Sequence, residues 1–269
     1  MKKIVLILFS ALILSSCEKE QQPFIENTDI PLISKVLIDG TLYYEYTYTD
    51  ANLLSEERSK YHYTKHNYNN QNLLSSSEIY MDAGMFSSNS YVVDESMRRE
   101  EWVNPRNTAK SLTQTFEYTR SNQLVREIYT RPSSTISEYA EFTLENGRII
   151  RQTLYWEDKL SFYIDYEYDE TGNLIKQSKF YVPSTGIEEL WTTTEYEFDN
   201  MHNPFRAFKH LLTPGKYTNP NNITKETYTI HFEVDQWTQK VQVTDNTYQY
   251  NNSGYPIKVN GEVEYLYRQ

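Results

Sequence analysis

The sequence of 269 residues predicts an all-β fold: an antiparallel up-and-down meander of repeated β-hairpins, closed into a barrel or a strongly curved sheet. Three observations predict it. One turn motif recurs along the chain, polar and apolar residues alternate with a period of two on either side of it, and 25 tyrosines outnumber eight glycines, a balance that favours strands over flexible linkers.

The clearest unit is Tyr166-Glu-Tyr-Asp-Glu-Thr-Gly-Asn-Leu-Ile-Lys-Gln-Ser-Lys-Phe-Tyr181. Ile164, Tyr166 and Tyr168 alternate with Asp165 and Glu167, the pattern of a strand with one drier face. Asp169 can hydrogen-bond its own downstream backbone, and Gly172 accepts the positive φ of a bulged hairpin loop. On the return strand Leu174, Lys176, Ser178 and Phe180 are expected on one face, and Ile175, Gln177, Lys179 and Tyr181 on the other.

Degraded copies of this unit run through the chain. They lie at Tyr46–Leu53, Tyr68–Leu73, Phe116–Leu124, Phe142–Ile149, Tyr196–Pro204 and Tyr248–Pro256. The step is 25 residues from Leu124 to Ile149 and again to Leu174, but 20 from Leu53 to Leu73 and 30 from Leu174 to Pro204. So loose a period suits a meander with loops of differing length better than a strict solenoid. Between the copies, 81–90, 131–136 and 212–223 read as loops, and 93–106 as a segment with a short helical turn before Pro105. The sequence therefore predicts a single domain over 35–269, with about 12 to 16 strands between Val36 and Tyr267.

The pattern aromatic-x-aromatic-Asp-x-x-Gly-Asn-Leu/Pro, best preserved at Tyr168–Leu174 and weaker at Phe198–Pro204 and Tyr250–Pro256, resembles the tyrosine-aspartate (YD-type) repeat of large bacterial toxin-shell and cell-wall proteins. Together with the N-terminal features, the mature chain also resembles a gram-negative, Bacteroidota-type lipoprotein family of unknown function with a porin-like fold. The copies here are few and irregular, which departs from a closed toxin-encapsulating shell. Neither resemblance implies catalytic residues.

At the N-terminus Lys2 and Lys3 precede an apolar run of 11 residues, Ile4 to Leu14. That is too short for a bilayer, which needs about 20, and reads as a signal peptide over 1–16 rather than an uncleaved anchor helix. Leu14-Ser-Ser-Cys17 resembles the lipobox of bacterial lipoproteins, which implies cleavage after Ser16 and acylation of Cys17, with 17–34 as a tether. Cys17 is the only cysteine, so no intramolecular disulfide is possible. The acidic stretch from Glu18 resembles an export signal to the outer face of the outer membrane, with a periplasm-facing tether as the alternative.

Without the signal the chain carries 24 basic and 37 acidic residues, a balance of −13 with no Lys/Arg run, which argues against nucleic acid as a partner. His62 and His66 lie four apart, which on a strand is about 13 Å, too far to share a metal, and they read as surface histidines. No nucleophile elbow or phosphate loop occurs, and an opposed acid pair for a glycosidase is not visible in sequence. No cofactor, metal or catalytic residue is expected, and the carboxylates read as solvated faces.

The aromatics remain. Tyr44, Tyr46 and Tyr48 share a strand face, as do Tyr61 and Tyr63, and Tyr166 and Tyr168, and these read mainly as packing. Trp102, Trp156, Trp191 and Trp237 lie near loops or strand ends, where an indole can offer a platform to a sugar or peptide. Trp156 with Tyr155, Trp191 and Trp237 are the candidate ligand-binding residues. The expected function is non-enzymatic binding of a glycan or peptide by a membrane-anchored envelope lipoprotein. The alternatives are a scaffold for an envelope protein partner and, more remotely, a glycoside hydrolase.

Overall fold

The computed structural model describes residues 30–59, 62–82, 108–233 and 240–268. Cys17, Tyr61, Trp102, Trp237 and the helical turn expected within 93–106 lie outside the described residues.

The first repeats form β1 (Ile33–Ile38), β2 (Thr41–Tyr48), β3 (Leu54–Ser59), β4 (His62–Tyr68), β5 (Leu74–Asp82) and β6 (Thr108–Tyr118). The middle of the chain forms β7 (Leu124–Thr130), β8 (Glu138–Glu145), β9 (Arg148–Trp156), β10 (Lys159–Tyr168), β11 (Leu174–Tyr181) and β12 (Glu189–Phe198). A 3-10 helix (Arg206–Leu211) follows, then β13 (Ile223–Ile230), β14 (Val241–Asp245), β15 (Tyr248–Tyr250), β16 (Pro256–Val259) and β17 (Val263–Tyr267). The 17 strands among the described residues exceed the 12 to 16 expected, and β1 starts at Ile33, which is fully buried. The antiparallel ladder runs through consecutive strands from β1 to β14, and from β15 through β17 back to β1. It opens between β14 and β15, which are joined only by Asn246 and Thr247, so the sheet curls back on itself without completing its hydrogen-bonded ring.

Every repeat carries the same irregularity beside its turn. Tyr48 pairs with Leu54, Tyr68 with Leu74, Tyr118 with Leu124, Leu144 with Ile149, Tyr168 with Leu174, Phe198 with Ile223 and Tyr250 with Pro256, and in each the register slips by one on the return strand. Such a bulge switches the face of all that follows. Leu174 therefore points inward with Gln177, Lys179 and Tyr181, while Lys176, Ser178 and Phe180 face out, which corrects the simple alternation expected for this strand. In the early copies the inward apolar residues are Leu54 and Leu74, 0% and 2% exposed, each one position past the Leu53 and Leu73 that end the motif.

The turns share one chemistry. The backbone N–H of Thr49, Asn69, Thr119, Asp169 and Asn251 donates to the carbonyl four residues on. Where Gly172 adopts φ +98°, Asn52, Asn72 and Asn122 take the same left-handed region at 56–62°. The Asp169 carboxylate accepts from the N–H groups of Gly172 (2.7 Å) and Asn173 (2.9 Å) and from the Thr171 hydroxyl (2.7 Å). Asp169→Ala should lower stability by about 1–3 kcal/mol in urea unfolding, because it strips those donors of their acceptor.

The repeated tyrosine has a structural job. Tyr68 donates its hydroxyl to the carbonyl of Leu54 (2.6 Å), Tyr118 to Leu74 (2.9 Å), Tyr168 to Ile149 (2.8 Å), Tyr248 to Ile223 (2.8 Å) and Tyr267 to Pro256 (2.6 Å). Each ties one repeat to the bulged residue of the one before it, filling a carbonyl that the slipped ladder serves poorly. Burial pushes the Tyr118 and Tyr168 phenols up to about 12, so they stay protonated donors.

One end of the curled sheet is filled. The connection from β12 to β13, residues 199–222, contains the loop expected over 212–223, which carries no helix or strand before Ile223, and it turns inward against the sheet. Phe208 is fully buried against Ile33, Val36, Tyr46 and Leu54, while Leu212 packs on the cluster of Leu124, Ile149, Tyr166 and Leu174. Polar clamps hold the plug to the turns: Leu174 N–H to Asn219 Oδ1 (2.8 Å), Leu54 N–H to His210 Nε2 (3.3 Å), and Asn173 to Asn221 through two bonds of 3.1 Å. The outer face carries cross-strand ion pairs, among them Arg126–Glu141, Arg151–Asp165, Lys110–Glu78 and Lys258–Glu264. A lipid-facing barrel would carry an apolar band there.

Candidate functional site

The inward side chains stack in layers above the plug. The lowest layer holds the bulge residues Leu54, Leu74, Leu124, Ile149 and Leu174. Three residues further along each strand the register slip brings Glu57, Ser77, Glu127, Gln152 and Gln177 inward, so a polar ring lies directly over the apolar one. Within that ring, above Leu211, Leu212 and Tyr217 of the plug, is a cavity of about 360 Å³.

Glu127 is 8% exposed and accepts from Gln114 Nε2 at 2.6 Å. Burial raises its carboxyl to about 7 against the pull of hydrogen bonds from Tyr129 and Gln114. On the opposing wall burial also disfavours the charge of Glu57, but the 2.9 Å hydrogen bond from His62 Nε2, helped by the charges of Lys216 and the histidines, outweighs it and holds that carboxyl below its usual range. His66 lines the cavity and bonds Ser77 Oγ through Nδ1 at 2.8 Å, and burial lowers it to about 4. His62 and His66 are thus wall residues engaged with Glu57 and Ser77, not surface histidines. Two carboxylates, one ionised and one poised near neutrality, face a space among hydroxyl and amide groups.

The aromatic candidates separate. Tyr155 and Trp156 are consecutive in β9 and point to opposite faces, so they do not make one platform. Tyr155 stacks outside on Tyr139, with centroids 4.8 Å apart. Trp156 is 45% exposed beside the Glu157-Asp158 turn. Trp191 sits in a larger assembly on the inner face at the end away from the plug. Its indole stacks on Tyr181 (4.5 Å, 20°) and leans on Phe232 (5.3 Å), while Lys179 Nζ lies 3.9 Å from the Phe162 ring and 5.6 Å from Trp191. Burial holds the Lys179 ammonium below its ordinary range. Phe162, Lys179, Tyr181 and Phe232 were not singled out in sequence; the pairings Phe162 with Tyr181 and Lys179 with Ile164 bring them together.

No protein-family model matches this chain, and no curated protein matches it. Among solved structures it is similar to a porin-like protein from Bacteroides uniformis, at 12% identity over 88% of this chain and 98% of that one, with a TM-score of 0.39. A porin-like protein from Bacteroides vulgatus gives 10% identity over 88% and 99%, with a TM-score of 0.37. The structure of TcdB2-TccC3 gives 14% identity over 77% of this chain but 10% of that chain, with a TM-score of 0.30.

Proposed function

We propose that this chain is an envelope lipoprotein that binds a glycan or a peptide without transforming it, held to a membrane by acylated Cys17. The observation that carries the binding reading is the inner aromatic row of Phe162, Tyr181, Trp191 and Phe232 with Lys179 among its rings. Flat rings pack on the apolar face of a sugar or on a peptide side chain, and a cation beside them fixes a hydroxyl or carbonyl. A glycan array with the chain should give hits, and Trp191→Ala should weaken the best of them about tenfold or more, whereas Trp156→Ala, at an indole that stacks on no aromatic ring among the described residues, should change little. A blank array, with Trp191 shielded from acrylamide quenching, would end this reading.

The ion-paired outer face supports a shell that stands in water, so the anchor is assigned to the lipid and not to the sheet. Cys17→Ser should release the protein into the soluble fraction with its circular dichroism unchanged, since Cys17 precedes the described sheet. Retention of that variant in the membrane would refute it. A scaffold reading draws on β14, whose five residues are all exposed and whose ladder is filled on one side only. An envelope partner recovered by cross-linking through Val243, with a blank glycan array, would favour it.

A further inference from the structure

The polar cavity above the plug is separate from the aromatic row and has its own chemistry. We infer that it is a binding site for a small organic cation, a primary or secondary ammonium group on a compact body. The inference does not depend on the rim reading.

Charge is the first ground. Glu57 and Glu127 line the space, and no lysine or arginine is among its described lining residues. The plug's Lys216, whose charge helps lower the Glu57 carboxyl, lies over the Phe205 and Tyr217 rings, which leaves Glu127 as the acid with no cation beside it among the described residues. An anion would meet repulsion there, and an ammonium ion taken out of water needs carboxylate partners. Hydrogen-bond capacity is the second. Tyr166 already donates to Gln152 (3.0 Å) and Gln114 to Glu127, so these two donors are engaged within the wall, and the lone pairs of the Glu57 and Glu127 carboxylates are acceptors for a ligand rich in N–H. Shape is the third. Phe116, Phe142, Leu124 and Leu212 supply an apolar side with aromatic rings, which suits the body of the ligand and adds attraction to its charge. A volume of about 360 Å³ admits a small molecule and not a chain.

Glu127 makes the inference measurable. Its carboxyl is poised near 7, facing Tyr118, Tyr129 and Tyr166 from their own strands, with Glu57 and His66 across the space. An arriving ammonium ion favours the carboxylate and expels the proton. The experiment is isothermal titration of the full chain in detergent at neutral pH, in two buffers of different ionisation heat. The probes are isosteric pairs: cyclohexylamine with cyclohexanol, and glucosamine with glucose.

At least one amine should bind with proton release, and its neutral partner about tenfold or more weaker. Glu127→Gln should abolish the proton release and weaken the amine about tenfold, with the thermal transition of the variant confirming its fold. No heat from either amine, equal binding of amine and neutral partner, or undiminished binding to a folded Glu127→Gln variant would overturn the inference.

Discussion

Phe208→Ala should destabilise the protein by about 3–5 kcal/mol, a large share of the total stability of a typical domain. The ring is fully buried at the centre of the plug, with Tyr46 at 5.1 Å, Phe205 and Tyr217 at 5.8 Å and Tyr48 at 6.1 Å between centroids. Those neighbours come from β2 and from both ends of the inward connection, so the cavity left by alanine cannot collapse without separating the plug from the sheet. The sheet depends on this contact more than a sandwich would, because a curled single layer has no second sheet to cover its inner face. Urea unfolding followed by circular dichroism and by tryptophan fluorescence measures the effect. A midpoint shift worth less than about 1 kcal/mol would show that the connection only rests on the sheet and does not hold it.

The fold class was legible because two local signals repeat. Alternation around Tyr166 and Tyr168 marks the inner face, and the polar turns with Asn or Gly in the left-handed position mark the reversals at one end, apart from that between β12 and β13. What sequence reading missed follows from one device, the bulge. A one-residue slip at Ile175 and its counterparts cannot be seen in a run such as Leu174-Ile-Lys-Gln, where either face carries one apolar and one polar residue. It decides, however, that Glu57 and Glu127 point inward, although acidic residues on a strand most often face solvent. The signal was present in the spacing: the third residue after each bulge position is polar in five copies, Glu57, Ser77, Glu127, Gln152 and Gln177. The inward connection was hidden for a different reason. Residues 199–222 are rich in Pro and Asn, which read as exposed turn, and it is the burial of Phe208 and the bonds that Asn219 and Asn221 accept from Leu174 and Asn173 that show they build a plug.

The same slip sets the second large effect, on pH dependence. Glu127 holds its proton up to about 7 in the folded chain against 4.5 for an exposed glutamate. Between those values the folded state binds more protons than the unfolded one, so this group's contribution to stability falls as pH rises through that window and is fully lost above 7. The gap corresponds to about 3 kcal/mol. His66 and His210, both lowered to about 4 by burial, act in the opposite sense, because below their ordinary range the unfolded chain binds the additional protons and stability grows with pH. The wild-type profile alone therefore blends opposing slopes, and the difference between two proteins isolates one of them. Glu127→Gln keeps the shape and an acceptor for Gln114 but carries no charge. It should match the wild type near pH 4 and become more stable than it by about 1–3 kcal/mol above pH 7, with the difference opening between 4.5 and 7. Thermal or urea unfolding at four or five pH values measures it. A difference that does not vary with pH would show that Glu127 is solvated in the folded chain, and with it the poised carboxyl of the cavity would be lost.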